Sequence, residues 1–593
     1  MSTVWRLGIG VATAWLLIVP CRGAESTVEW VSSDAVLYLE VPRPGVLLDR
    51  ASDERLLALA ETVPGLREAL RRPEVKTLRD VVTEVARELG KPWDVAVREI
   101  TGGGAVLAVE APRGRPPGIA LIVTPTDAEV LEKAAGIVRE IARREAANRG
   151  QDDPIASGEH RGIVGYSPRG TKAAYAIVEG KLVIADRSDT LKAVVDRALD
   201  GLPADRSVKT LEVWKAREDA PNPESLAWGM ARLDILRELD PNRYRIEEKV
   251  DGGATLLFGG WIQTLRQAPW VSATLTWNEK RLAGQIRMPA PPGGRSAPFL
   301  GYVPPRGEGA PPPIHLPGTV LSASLWRDLS ALWEAKSDLF RPEDAQNLNQ
   351  LDTLSGTFFG GRDFGTGVLG SLTSDWRLIV AMQDHAATTP LPDVKLPAFA
   401  LVAQMKPDAE DFAQRLKVAF QSFVGVVNLG SAQTKAPPLE LLSETYEGVT
   451  LSTTRFMPPL KSGPDDQPPG PVHYRHNFSP TAVQVGPHFV LSSSVGLARE
   501  LVKALKDGGS ESPRDEPATF VVKADGGVMA KLVDLNRDQL VMRNVLEQGN
   551  DEARAGAEVD LLAALLRYLG EGRLAIEDGH DFWRLDLDFQ LGR

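Results

Sequence analysis

One cysteine, Cys21, and seven histidines are all the thiol and imidazole groups in a chain of 593 residues. If the mature chain starts after Cys21 it has no thiol, which excludes disulfides, thiol catalysis and thiolate metal sites. Excess positive charge is missing too. Lys and Arg number 68 against 79 Asp and Glu, a net charge of -11, so no bulk field draws nucleic acid or an anionic membrane surface. Beyond the N-terminal segment no run has the length and apolarity of a transmembrane helix. Neither a G-x-S-x-G elbow nor a Gly-Lys-Ser/Thr phosphate loop occurs, and no H-E-x-x-H pair is present.

What is present begins with an address. Arg6 supplies a positive charge ahead of Leu7–Val19, an apolar run too short to span a bilayer, and Cys21 and Gly23 place small residues before Ala24. This predicts a signal peptide over residues 1–23 and an exported protein of the periplasm or cell surface. N-terminal sequencing of the exported chain is expected to begin at Ala24. An acylated Cys21 at the N-terminus would instead identify a lipid anchor, the one route by which this chain would meet a membrane. Ile18 and Val19 suit a lipidation box, whereas Pro20 departs from it.

The rest of the chain repeats itself. Gly180, Ser188, Leu191, Ala198 and Leu199 recur at the same spacing as Gly486, Ser494, Leu497, Ala504 and Leu505, as an apolar strand followed by a helix. Ile119–Val123, stopped by Pro125 and followed by Thr126 and Glu129 as a capping box, opens a helix with Val130, Ala134, Val138 and Ile141 inward. Its counterpart is Leu401–Met405, Pro407, Asp408 and a helix with Phe412, Leu416, Phe420 and Phe423 inward. Val36, Leu37, Leu39 and Val41 match Val320, Leu321, Ala323 and Leu325. Leu226, Trp228 and Met230 match Ala518, Phe520 and Val522, and Leu282–Ile286 matches Leu585–Phe589. Neighbouring strands outnumber isolated ones, so the expected class is α+β with mainly antiparallel sheet, in two tandem diverged repeats. The expected boundaries are 24–288 and 319–593, joined by a Pro/Gly-rich linker, 289–318. Pro458–Pro471 is read as a surface-loop insertion.

The Ser33–Val41 strand after a signal peptide, the capped long helix and the Gly180–Ala185 strand together resemble an uncharacterised family of secreted bacterial proteins common in planctomycetes. The resemblance implies export and carries over no functional residue.

Candidate chemistry is sparse. Gly365, Gly367 and Gly370 spell G-x-G-x-x-G, but no apolar strand leads into them and they occupy the place of Ile100–Gly104, so they are read as a turn. His473, His476 and His488 are close in sequence, yet lie at a loop-to-strand junction without a carboxylate ligand. The acids of Glu577–Asp581 surround Gly579 without the calcium-loop spacing and are read as a hairpin turn, like Asn278–Lys280. Ser494, with Ser188, reads as a helix N-cap rather than a nucleophile. Trp326 and Trp333, on one helical face with Leu329, and Trp228 beside Met230 read as core. No catalytic, cofactor-binding or metal residue is therefore nominated, and no cofactor. The expected role is a non-enzymatic binding or scaffold protein for an unknown protein or small-molecule ligand. The alternatives are a carboxylate-dependent hydrolase and a lipid-anchored assembly factor.

Overall fold

The computed structural model describes residues 27–51, 73–218, 225–247, 249–278, 280–385, 391–434, 438–457, 474–508 and 518–592. Residues 1–26 with Cys21, Pro458–Pro471 and His473 lie outside the described residues. The chain forms two compact units. One comprises the chain up to Arg245 together with Ala268–Arg287; the other comprises Ile246–Gln267 and everything from Met288.

In the first unit ten strands form one antiparallel sheet. They are β1 (Ala35–Val41), β2 (Ala105–Glu110), β3 (Gly118–Val123), β4 (Ile155–His160), β5 (Ile163–Pro168), β6 (Ala174–Val178), β7 (Lys181–Ala185), β8 (Ser225–Arg232), β9 (Trp270–Trp277) and β10 (Arg281–Pro289). Their order is β10-β9-β8-β1-β2-β3-β7-β6-β5-β4. Helices cover both faces, because strands such as β3 are apolar on both sides. Leu191, Val194 and Val195 of the Ser188–Asp200 helix pack on Ala120, Ile122, Ala176 and Val183. Val130, Leu131 and Ala134 of the Ala128–Asn148 helix pack with Ile100, Ile177 and Leu182. That helix is capped by Asp127, whose carboxylate accepts from Glu129 N and Val130 N. Thr126 does not cap it; its hydroxyl donates to Glu99 O.

The second unit has its own ten antiparallel strands: β11 (Thr319–Trp326), β12 (Leu372–Ala381), β13 (Ala398–Met405), β14 (Leu439–Tyr446), β15 (Val449–Phe456), β16 (Thr481–Val485), β17 (His488–Ser492), β18 (Phe520–Asp525), β19 (Glu571–Asp578) and β20 (Phe582–Gln590). Their order is β20-β19-β18-β11-β12-β13-β17-β16-β15-β14. Strand by strand this is the order of the first unit. Even the hairpin turns agree: Arg161–Gly162 and Glu447–Gly448, joining β4–β5 and β14–β15, both have positive φ at both positions, the geometry that matches strand twist in a two-residue turn.

Three sequence expectations shift. Pro289–Gly318 is not a free linker but part of the second unit: Ala297–Tyr302 is a 3-10 helix, and Tyr302, Ala310, Ile314 and Leu316 are buried. Proline and glycine there interrupt periodicity without preventing burial. The Gly252–Gln267 helix, expected in the first repeat, belongs to the second unit. Finally, register puts Met230 opposite Tyr38 and Lys523 opposite Ser322, so β18 matches β8 one residue away from the expected alignment, and the two-residue turns after Val178 and Val485 set Lys181 against His488, so that Ala498, not Leu497, answers Leu191. A slip of one residue exchanges the faces of a strand. Accordingly Thr519 and Val521, not Phe520 and Val522, are the buried counterparts of Trp228 and its neighbours.

The long Glu410–Thr434 helix buries Phe412 and Val424 and half-buries Leu416 and Phe420 along an i, i+4 ridge. Phe423 falls off that ridge and is 58% exposed. Val138 is likewise exposed on its own helix. Among the described residues no helix is long and apolar enough to cross a membrane.

Candidate functional site

The second unit carries a cleft of about 400 Å³ where the Pro313–His315 segment runs beside the sheet. Its floor is a row of residues in register across four strands: Ser322 on β11, Lys523 on β18, Arg573 on β19 and Asp588 on β20. Asp525, Glu571 and Gln590, two residues along, form a second row on the same face and also line the cleft. Ser322 is 1% exposed, and its hydroxyl has no hydrogen-bond partner. Buried hydroxyls are rarely left so, since an unmet group costs on the order of 1–3 kcal/mol. Asp525 is committed elsewhere: it caps the Gly526–Leu535 helix, accepting from Val528 N at 3.0 Å.

At the other end of β19 lies a buried charge cluster. Asp578 pairs with Arg295, whose guanidinium also donates to Gly260 O at 3.2 Å and Thr264 Oγ1 at 3.1 Å. Arg327 is buried above Tyr302 and donates to Tyr302 O at 3.1 Å and Leu257 O at 3.0 Å. The Tyr302 hydroxyl donates to Thr255 O at 2.6 Å. Two glycines permit this approach. A Cβ on Gly259 would overlap the Tyr302 hydroxyl, and one on Gly260 would overlap Asp578 Oδ2. Burial lowers the Arg327 guanidinium to about 10, though it remains charged at neutral pH. Burial also raises the Asp578 carboxyl above the ordinary carboxylate range, against the pull of Arg295 and Arg327. Every named group in this cluster holds the Gly252–Gln267 helix or its neighbours in place, and the Trp261 ring stacks on Trp583 at 5.7 Å beside it. The cluster acts as a clasp on that helix.

The residues singled out in the sequence are scattered. Gly365 and Gly367 lie in a π-turn, Phe364–Val368, capped by Asp363; a Cβ on Gly365 would meet the Trp333 ring, so close packing accounts for that glycine. His476 sits in a 3-10 turn with its ring 6.3 Å from Phe456. His488 is buried at the start of β17; its Nε2 has no partner, and burial, aided by Arg377, lowers its imidazole. Among the described residues no group of three or more His, Cys, Asp or Glu side chains is arranged to hold a metal ion.

Ser494 does cap its helix, accepting from Leu497 N at 3.2 Å, whereas Ser188 is already the first helical residue and makes no cap bond. Trp326 and Trp333 are both buried, but Trp326 ends β11 instead of sharing a helix with Leu329. Of Glu577–Asp581 only Gly579–Asp581 form the β19–β20 turn, with Gly579 N donating to Phe582 O at 3.0 Å, while Glu577 and Asp578 end strand β19. Those two acids are buried. The cleft residues were missed. Their signal is Ser322 and Ser324 interrupting an apolar strand, and Lys523, which register sets beside Ser322.

No family model matches the chain, and no curated protein matches it. Solved structures of TP0453 are similar to part of it. Crystal form IV is 10% identical, covers 44% of this chain and 79% of that one, and gives a TM-score of 0.24. Crystal form I is 12% identical, with coverages of 46% and 82% and the same TM-score.

Proposed function

We propose that this chain is an exported, non-enzymatic binding protein of the bacterial periplasm or cell surface, and that the second-unit cleft takes a small-molecule ligand. The observation that carries the reading is the Ser322 hydroxyl, buried in the sheet and without a partner, on the floor of a cleft within the usual size range of ligand sites. Export draws its support from Arg6, the Leu7–Val19 run and the small residues at Cys21 and Gly23. The two units are tandem diverged copies of one α+β unit in this reading. Their common strand order supports that, together with the hairpin and buried-face helix that follow in the same order, Leu191, Val194 and Val195 answering Ala498, Leu501 and Val502.

A second reading, a carboxylate-dependent hydrolase, draws on Glu571 and Asp588 in the same cleft. The two part on one experiment. The purified mature chain is denatured and any released small molecule identified by mass spectrometry, alongside incubation with a panel of glycosides and esters. A binding protein releases a stoichiometric molecule, retained less by Ser322→Ala, and turns over none of the panel. Turnover abolished by Glu571→Gln would overturn the proposal in favour of the hydrolase.

A further inference from the structure

Resting on the reading of the second-unit cleft as a ligand site, we propose that its ligand is a zwitterion, a small molecule bearing one carboxylate and one ammonium, of the class of amino acids and short peptides.

Charge excludes the simpler ligands first. The walls hold Lys523 and Arg573 against Asp525, Glu571 and Asp588. A bare anion such as phosphate would meet three carboxylates, and a bare cation would meet two fixed positive charges. A molecule carrying both signs can satisfy the mixture, provided uncommitted groups of each sign lie within its reach.

They do. Among the described residues the Lys523 ammonium and the Glu571 carboxylate have no ion pair or hydrogen bond, while Asp525 is spent on its helix cap. Lys523 stands opposite Arg573, and Glu571 is two residues back along the same strand, so Lys523 and Glu571 are diagonal neighbours, roughly 7–8 Å apart between Cα atoms. That spacing lets flexible side chains close on a ligand whose two charges are separated by a few bonds. The carboxylate would sit between the Lys523 ammonium and the Ser322 hydroxyl, its Cα partner across the strands, and the ammonium would face Glu571.

The corresponding row of the first unit shows what the same fold does without a ligand site. There Tyr38, Met230, Ser272 and Arg287 stand in register. Tyr38 is fully buried, with Trp214 at 5.4 Å and Trp228 at 5.8 Å, and its hydroxyl donates to Glu40 at 2.8 Å. An aromatic side chain with its polar tip satisfied fills the position that Ser322 leaves open. The site therefore belongs to the second unit alone.

Titration calorimetry on the full mature chain tests this with glycylglycine, acetate and methylammonium as probes at one ionic strength. Glycylglycine is expected to bind saturably, and the two single-charge probes at least tenfold more weakly. Lys523→Gln and Glu571→Gln, both exposed and neutral to folding, are each expected to weaken glycylglycine at least tenfold, and Ser322→Ala several-fold. Equal binding of acetate or methylammonium, or unchanged affinity in Lys523→Gln and Glu571→Gln, overturns the zwitterion assignment. If a single-charge probe or a co-purified molecule binds and Ser322→Ala weakens it, the cleft stands as a ligand site and the zwitterion assignment alone fails. If no probe and no co-purified molecule responds to any of the three substitutions, both fail.

Discussion

Arg327→Met is expected to lower the stability of the second unit at pH 7 by about 3–5 kcal/mol, because two hydrogen bonds from a buried charged donor are lost at ~1.5–3 kcal/mol each. The side chains are of similar length, so the loss is electrostatic more than steric. Methionine cannot donate to Tyr302 O or Leu257 O, the two bonds that join the Ala297–Tyr302 turn to the Gly252–Gln267 helix. It also removes one of the two cations that favour the ionised form of Asp578, leaving Arg295 alone. The pH dependence has a definite sign. Asp578 already takes up a proton more readily in the folded chain than an ordinary aspartate does, so its ionisation costs stability as pH rises through its raised pKa. Without Arg327 that pKa climbs further, and the deficit of the variant should be largest at neutral pH and shrink as pH falls toward the ordinary carboxylate range. Urea denaturation at several pH values, followed by tryptophan fluorescence and assigned to the second unit by hydrogen exchange of β19 and β20, is the measurement. A deficit under about 1 kcal/mol at pH 7, or one that grows on acidification, would show that the cluster is not a clasp.

The clasp shows why some of this architecture was legible in the sequence and some was not. Strand and helix periodicities are local, so β3, β7, β13 and β17 and the helices that follow β7 and β17 could be read from the apolar pattern alone. Partners separated by long stretches of chain leave no such pattern. Nothing near Asp578 announces Arg295, and the Gly259–Gly260 pair reads as weak helix former until Tyr302 and Asp578 are seen against it. The Pro289–Gly318 segment misleads for a related reason, because proline and glycine describe backbone stiffness and say little about whether Tyr302 or Ile314 will find an apolar pocket. Register was the other blind spot. Pairing alone decides which parity of β18 faces inward, and that decides whether Lys523 is an ordinary surface lysine or the neighbour of Ser322. The cleft thus depended on the one quantity that alternation within a strand does not supply.

Leu191→Ala and Leu497→Ala are each expected to destabilise their own unit by about 2–5 kcal/mol, and by similar amounts. Both leucines are buried, at 6% and 3% exposure, and both stand in the first turn of the helix that follows a hairpin, β6–β7 in one unit and β16–β17 in the other. Their surroundings correspond strand by strand, Leu497 lying one residue before Ala498, the position that answers Leu191. Leu191 packs among Ala120, Ile122, Ala176 and Val183, and Leu497 among Ala400, Val402, Val483 and Val490. The cost of truncation depends on how far the neighbours can collapse into the space, and neighbours fixed in a central antiparallel sheet have little freedom to do so. Similar frameworks should therefore give similar costs, although the side chains around the two sites differ. Denaturation of each full-length variant, with hydrogen exchange assigning the loss to β3 and β7 or to β13 and β17, measures both values. If one substitution falls in this range and the other costs less than about 1 kcal/mol, the two helices do not occupy equivalent sites, and the proposal of a duplicated unit loses its strongest structural support.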